Sequence, residues 1–162
     1  MNKKTVVQWQ NSYSVGVKPI DEQHMELINF TNKLFSSCMS GQDKTKGAFL
    51  QAIHEAVEYT GYHFGTEERL MERINYPHYA SHKKEHMDFV KEVLIKVEEF
   101  ESGKVLVPLG FVYFLRDWVL HHIAVCDKRL GDYLLSLRRT GDLQRIVLKV
   151  KNDPVKKRLI IK

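Results

Sequence analysis

The chain has 162 residues, 43% of them hydrophobic, which is enough apolar material for one ordinary domain with a core of its own. Its formal charge of +5 is unevenly spread: residues 138–162 hold nine Lys/Arg against two Asp/Glu, leaving 16 basic and 18 acidic side chains in residues 1–137. A slightly acidic body excludes nucleic-acid binding on charge grounds, and only the tail is basic.

From Met1 to Val7 no long apolar run follows the lysines, so neither a signal peptide nor a transmembrane span is expected. Residues 1–19 lack a helical period. Gly16 and Pro19 are expected to keep them extended, as an arm that packs through Trp9, Tyr13 and Val15. The first helix is predicted to open at Asp21, a good N-cap, and to run to Ser40-Gly41. At about 100° per residue, His24, Ile28, Thr31, Phe35 and Cys38 fall on one stripe. His24 therefore faces the core.

The second helix is predicted from Lys44 to Ile74. Phe49, Ile53, Ala56, Thr60, His63, Glu67, Leu70 and Ile74 form a single stripe. Two pairs on this helix, His54-x-x-x-Glu58 and His63-x-x-x-Glu67, have the same spacing. Residues four apart lie one turn above each other, so either pair could aim two ligands at one point. The two histidines, however, are separated by a rotation of about 180°. His54 must point away from the stripe that holds His63, which makes its pair a solvated surface pair.

Tyr76-Pro77 breaks the helix, because proline pushes the residue before it out of the helical region. A third helix is predicted from Tyr79 to just before Ser102-Gly103, with His82, His86, Phe89, Val93, Val97 and Phe100 on one face. His78 lies one turn before His82 and ranks second as a ligand, since it sits at the helix mouth against Pro77. A fourth helix follows Pro108 and aligns Phe111, Leu115, Trp118, His122 and Cys126. Asp127, five residues past His122, points off this face in a regular helix. A wide π-type turn or a helix end would bring it back.

A shorter amphipathic piece, Arg129 to Leu137, is expected to close the bundle before Gly141. The tail carries two β-like runs, Ile146 to Val150 and Val155 to Ile161, around a turn at Lys151-Asn152-Asp153-Pro154, which suits either a loosely held hairpin or disorder. Cys38 and Cys126 stand far apart with no CxxC, which argues against a disulfide framework and for a cytoplasmic location. The expected fold is all-α: an up-down-up-down four-helix bundle over residues 1–141, with an N-terminal arm and a basic C-terminal extension over 142–162.

Four helices thus each turn at least one ligand inward: His24; His63 and Glu67; His82 and His86; His122 with Asp127. One buried histidine is an ordinary core residue. Five histidines and two carboxylates are not, since buried polar groups need partners. A bound cation would satisfy them together. Seven ligands exceed one tetrahedral zinc, imidazole and carboxylate suit a metal such as iron, and each carboxylate can bridge two ions.

At this point the chain resembles a known family. The pattern Trp9…Ser14-Val15-Gly16-Val17…Ile20-Asp21-Glu22-Gln23-His24, then His63-Phe64-x-x-Glu67-Glu68-x-Leu70-Met71, then Tyr76-Pro77…His82-x-x-x-His86, then Trp118…His122-Ile123-x-x-x-Asp127 resembles the bacterial hemerythrins. The likeness runs from residue 9 to about residue 137 and fills all seven ligand positions. It implies two iron ions joined by Glu67, Asp127 and an oxo or hydroxo group. His82, His86 and His122 would bind one iron. His24 and His63 would bind the other, which keeps an open position for O2 or, in the ferric form, for a small anion such as azide. The implied function is reversible O2 binding for carriage, storage or delivery, without enzymatic turnover. A His-rich site suits holding O2 better than cleaving it.

Two other classes share the same ligands. One is a di-iron enzyme acting on peroxide or NO, which needs room for a second substrate and a proton source. The other is an O2 or redox sensor, whose output element could only be the tail. A carrier needs a closed apolar pocket, for which Ile28, Phe64 and Trp118 are the expected lining. Three features depart from the family pattern or add to it. The loops at Gly41-Gln42-Asp43 and Ser102 to Val107 look long, the basic tail is extra, and Cys126 stands beside Asp127. The tail's charge suits an acidic partner, nucleic acid or an anionic membrane, while Cys126 reads as a small buried hydrophobe in preference to a redox-sensitive thiol near the iron.

Overall fold

The computed structural model describes residues 5–39, 45–103 and 108–142. After a 3-10 turn at Asn11–Tyr13 come helices α1 (Lys18–Met39), α2 (Thr45–Arg73), α3 (Tyr79–Glu101) and α4 (Pro108–His122). A π-turn, Ile123–Asp127, then leads into α5 (Lys128–Thr140). Helix α1 packs against both α2 and α4, and α2 also packs against α3, giving the expected four-helix bundle. No described helix is long and apolar enough to cross a membrane. The loops at 40–44 and 104–107 and the tail's β-like runs lie outside the described residues.

The first helix opens three residues earlier than expected, at Lys18 instead of Asp21. Pro19 is therefore inside the first turn, where its missing N–H costs nothing and its fixed φ already suits a helix. Asp21 does not cap that helix. Its carboxylate turns back and accepts the Val15 N–H at 2.8 Å and the Ser14 hydroxyl at 2.7 Å, fastening the arm to α1. Further out, Asn32 clasps the arm's backbone: its Oδ1 accepts the Val6 N–H at 2.9 Å and its Nδ2 donates to the Val7 carbonyl at 2.8 Å. Of the three arm residues expected to pack, Val15 is fully buried, while Trp9 and Tyr13 are half-buried and meet edge to face.

The α2 stripe appears where the period places it, and the α4 line is turned by one residue from the expected one. On α2, Phe49, Ile53, Ala56, His63 and Glu67 are buried and Thr60 and Leu70 are half-buried, with Ile74 buried just past the helix end. On α4 the buried apolar line runs through Val112, Leu115 and Val119, leaving Phe111 and Trp118 at its edge. One apolar cluster, which includes Leu34, Phe49, Ile53, Phe89, Val93 and Val112, fills one end of the bundle. At the other end α5 lays Leu130 and Leu134 on Met71, Ile74 and Tyr76. The inward polar residues lie between these two apolar plugs, each of whose fully buried Leu, Ile or Phe side chains contributes about 1.5–3 kcal/mol.

Two backbone details set the ends. The α2–α3 turn places Asn75 at a φ of 50°, a left-handed position that asparagine tolerates, so the chain reverses before Pro77. Helix α5 runs past the expected Leu137 to Thr140 and stops at Gly141, whose φ of 76° lets its N–H bond back to the Arg138 carbonyl.

Candidate metal centre

All seven inward residues reach one place. His24, His63, Glu67, His82, His86, His122 and Asp127 are each no more than 3% exposed. Their ligand atoms form two overlapping groups within 4.8 Å: Glu67, His82, His86, His122 and Asp127 in one, His24, His63, Glu67 and Asp127 in the other. The two carboxylates belong to both. His54, Glu58, His78 and His121 are all exposed, so neither the second pair on α2 nor the residue before α3 takes part.

Asp127 divides its oxygens between the two groups, while Glu67 Oε2 approaches both, lying 3.8 Å from His63 Nε2 as well as beside His82 and His86. Asp127 Oδ2 lies 3.0 Å from His24 Nε2, and its Oδ1 lies 3.2 Å from Nε2 of both His82 and His122. Glu67 Oε2 lies 3.3 Å from His86 and 3.4 Å from His82, with Oε1 facing His24 at 4.0 Å. The Nε2 atoms of His82 and His86 each come within 3.1 Å of His122 Nε2. One proton can serve only one of those nitrogen pairs. Two imidazoles at right angles on an ion with bonds of about 2.1 Å are separated by about 3 Å, which is the spacing seen.

Hydrogen bonding leaves the site incomplete. Both ring nitrogens of His24, both oxygens of Glu67 and of Asp127, and His82 Nδ1 are buried without a hydrogen-bond partner. His24 Nε2 and the four carboxylate oxygens face one another across the centre, whereas the two Nδ1 atoms lie on the far side of their rings. Each orphaned buried polar atom costs about 1–3 kcal/mol, and seven together rival the whole net stability of a domain, about 5–15 kcal/mol. A cation placed among them removes most of that cost. The residues present fit a metal.

Electrostatics agree. Burial works to raise the Glu67 carboxyl, and Asp127 pushes the same way, but His63, His82 and His86 outweigh both and hold it at about 2. Burial likewise opposes the charged form of Asp127, and the imidazoles of His122, His24 and His82 hold it well below the carboxylate range. Both acids are ready-made anionic ligands. Burial pushes the other way at His63, down to about 4, so this imidazole is neutral and can offer a lone pair. At His82 Asp127 and Glu67 overcome burial and raise the ring to about 9, and at His122 Asp127 with Cys126 overcomes burial and raises it to about 10.

The model of the hemerythrin HHE cation-binding domain matches residues 15–134. The chain belongs to the hemerythrin family. It is 34% identical over 124 residues to a bacteriohemerythrin of Stenotrophomonas maltophilia, covering 76% of this chain and 78% of the relative. A second bacteriohemerythrin, from Methylococcus capsulatus, is 32% identical over 122 residues, covering 75% of this chain and 91% of the relative. A solved wild-type hemerythrin superposes with a TM-score of 0.72 at 26% identity, over 78% of this chain and 96% of that one. The chain thus shares its fold with the solved hemerythrin and covers most of the length of each of these relatives.

Two of the residues expected to line a pocket lie against the histidines. Phe64 stacks flat on His86 at 3.8 Å, and Trp118 stacks on His122 at 4.4 Å, so both back the three-histidine group. Ile28 is buried in α1. None of the three lines the apolar cavity of about 30 Å³ inside the bundle, whose walls include Leu27, Thr31, Ala56, Thr60, Val93 and Val119.

Sequence reasoning also passed over two outer residues. Gln23 is buried, and its Oε1 accepts the His63 Nδ1–H at 2.9 Å. Glu68 Oε1 accepts the His86 Nδ1–H at 3.3 Å, and its Oε2 pairs with Lys83 Nζ at 3.0 Å. Each stands beside an inward ligand in sequence, which is the one signal that could have pointed to them. Cys126 is half-buried, more open than a core hydrophobe.

Proposed function

We propose that the chain binds O2 reversibly at a non-heme di-iron centre, as a carrier, store or delivery protein. The observation that carries the reading is that two ligand groups share Glu67 and Asp127. His82, His86 and His122 would hold one iron and His24 and His63 the other, with both carboxylates common to the two. Such a pair would supply the electrons and the vacant coordination position that O2 needs.

The chain's own part is to orient and to exclude. Glu67 and Asp127 stay ionised, and each faces both ligand groups. His63 keeps its proton on Nδ1, bonded to Gln23, so Nε2 faces the centre with a lone pair. Leu27, Thr60 and Val119, each about one helical turn from His24, His63 and His122, wall the adjoining cavity. The Thr31 hydroxyl donates to the Leu27 carbonyl at 3.0 Å and the Thr60 hydroxyl to the Ala56 carbonyl at 2.7 Å. Both hydroxyl protons are committed, so that wall is apolar and offers O2 no proton. This favours holding O2 over cleaving it, and a carrier over an enzyme.

Metal analysis of protein produced with ample iron tests the centre. The expected result is about two irons per chain, as in other two-metal carboxylate sites. Stoichiometric zinc, or a single iron at saturation, would rule the di-iron reading out.

A further inference from the structure

We propose that the two halves of the centre are braced unequally, by Glu68 with Lys83 behind His86 and by Gln23 behind His63, so that the three-histidine half holds its ion more tightly and keeps it when the other is lost. The inference rests on the two-ion reading above and adds residues outside the ligand set.

Each brace follows the same construction. Gln23 precedes His24 on α1 and reaches across to His63 on α2, where its Oε1 accepts the Nδ1–H at 2.9 Å. Glu68 follows Glu67 on α2 and reaches across to His86 on α3 at 3.3 Å. One residue along a helix is a turn of about 100°, which takes a side chain from the bundle axis to the neighbouring helix. Both braces fix the tautomer, leaving Nε2 to the centre. Their chemistry differs. Gln23 is a neutral amide. Glu68 is a carboxylate whose second oxygen is tied to Lys83 Nζ at 3.0 Å, with Lys83 in turn 3.3 Å from the Tyr79 hydroxyl.

A carboxylate behind an imidazole makes a charge-assisted bond and raises the ligand's basicity more than an amide does. Replacing such an outer partner changes metal affinity by about 10–100-fold. Phe64 stacked on His86 adds to the difference by fixing that ring on its face as well as at its edge. The Glu68 side chain is 23% exposed and that of Lys83 41%, so solvent partly screens this pair. The outcome is one firmly held ion and one exchangeable ion in the same bundle.

Cobalt(II) titration of the metal-free full-length protein against a competing chelator, followed by visible absorption, reads both affinities. His24→Ala marks the weaker step and His82→Ala the tighter one. Wild type should bind two equivalents in two separated steps. Glu68→Gln, which keeps an acceptor and removes the charge, should weaken the tighter step about 10–100-fold and close the gap. Gln23→Glu should strengthen the weaker step, a gain that a merely structural residue would not give, and Gln23→Leu should weaken it alone. Circular dichroism of each metal-free variant checks the fold. If wild type takes up two equivalents and neither Glu68→Gln nor Gln23→Glu moves either step, the bracing idea is wrong while the two-ion reading stands. If wild type takes up fewer than two, both fall.

Discussion

Asp127 follows His122 by five residues, yet its Oδ1 lies 3.2 Å from His122 Nε2. In a regular α-helix a five-residue step turns a side chain about 140° away. The π-turn at Ile123–Asp127 widens the coil by one residue and brings the carboxylate back onto the His122 face. The same carboxylate then touches His24 on α1 with its other oxygen at 3.0 Å, so one wide turn ties both halves of the centre together.

Asp127→Ala should therefore empty both positions, and Glu67→Ala should do the same, whereas His86→Ala should leave one ion in place. Iron content after anaerobic loading and desalting checks this. Retention of one full equivalent in Asp127→Ala would show that its oxygens serve a single ion.

The two identical spacings on α2 give a paired prediction. His63→Ala should cripple the His24 half, while His54→Ala, at an exposed position, should leave metal content unchanged and stability within about 0.5 kcal/mol of wild type. Loss of metal on His54→Ala would contradict the helical phase of α2.

Metal uptake should release protons. Without an ion, His82 and His122 have raised values of about 9 and about 10, so both carry a proton at pH 7 that a metal must displace. Calorimetry in two buffers of different ionisation enthalpy should report the release of about two protons at pH 7. The sign for stability follows from the same groups. Their pairing with the acids is fully present below the ordinary histidine value of 6.5 and fades as pH rises toward about 9 to 10. The melting point of metal-free protein should carry that alkaline loss, and loaded protein should not. Equal pH profiles for the two forms would count against this charge state.

Gly131 on α5 is a contact point for the arm. A Cβ built there would meet Val15 Cβ at 2.9 Å and come closer still to the Val15 carbonyl oxygen, a backbone atom that cannot swing aside. Gly131→Ala should cost about 1–3 kcal/mol, the usual range for overpacking, read from the urea midpoint. An unchanged midpoint would mean that α5 sits less closely on the arm.

Much of this could be read in advance from spacing. His-x-x-x-Glu and His-x-x-x-His on helices of 3.6-residue period settle which face each ligand takes, and the rotation between His54 and His63 separates the working pair from its double. Tyr76-Pro77 marks the reversal that brings α2 and α3 together. Asp127 was legible only as a condition, because periodicity says that a wide turn is needed and not that one forms. Pro19 misled, since a proline breaks a helix in its interior but suits its first turn. Gln23 and Glu68 were hidden for another reason. A period assigns a residue to a face, while the partner on the next helix depends on how the helices are packed. The same limit applies to Phe64 and Trp118, whose stacking on His86 and His122 no period foretells.

The most direct test of the central claim is an anaerobic titration of the ferrous protein with O2, followed by removal of the gas. The account predicts that a visible absorption band grows to an end point at about one O2 per two irons, as one vacant position allows, and that the band disappears when O2 is withdrawn. A band that never reverses, or sustained consumption of O2 when a reductant is supplied, would contradict reversible binding and make the site that of an oxidase.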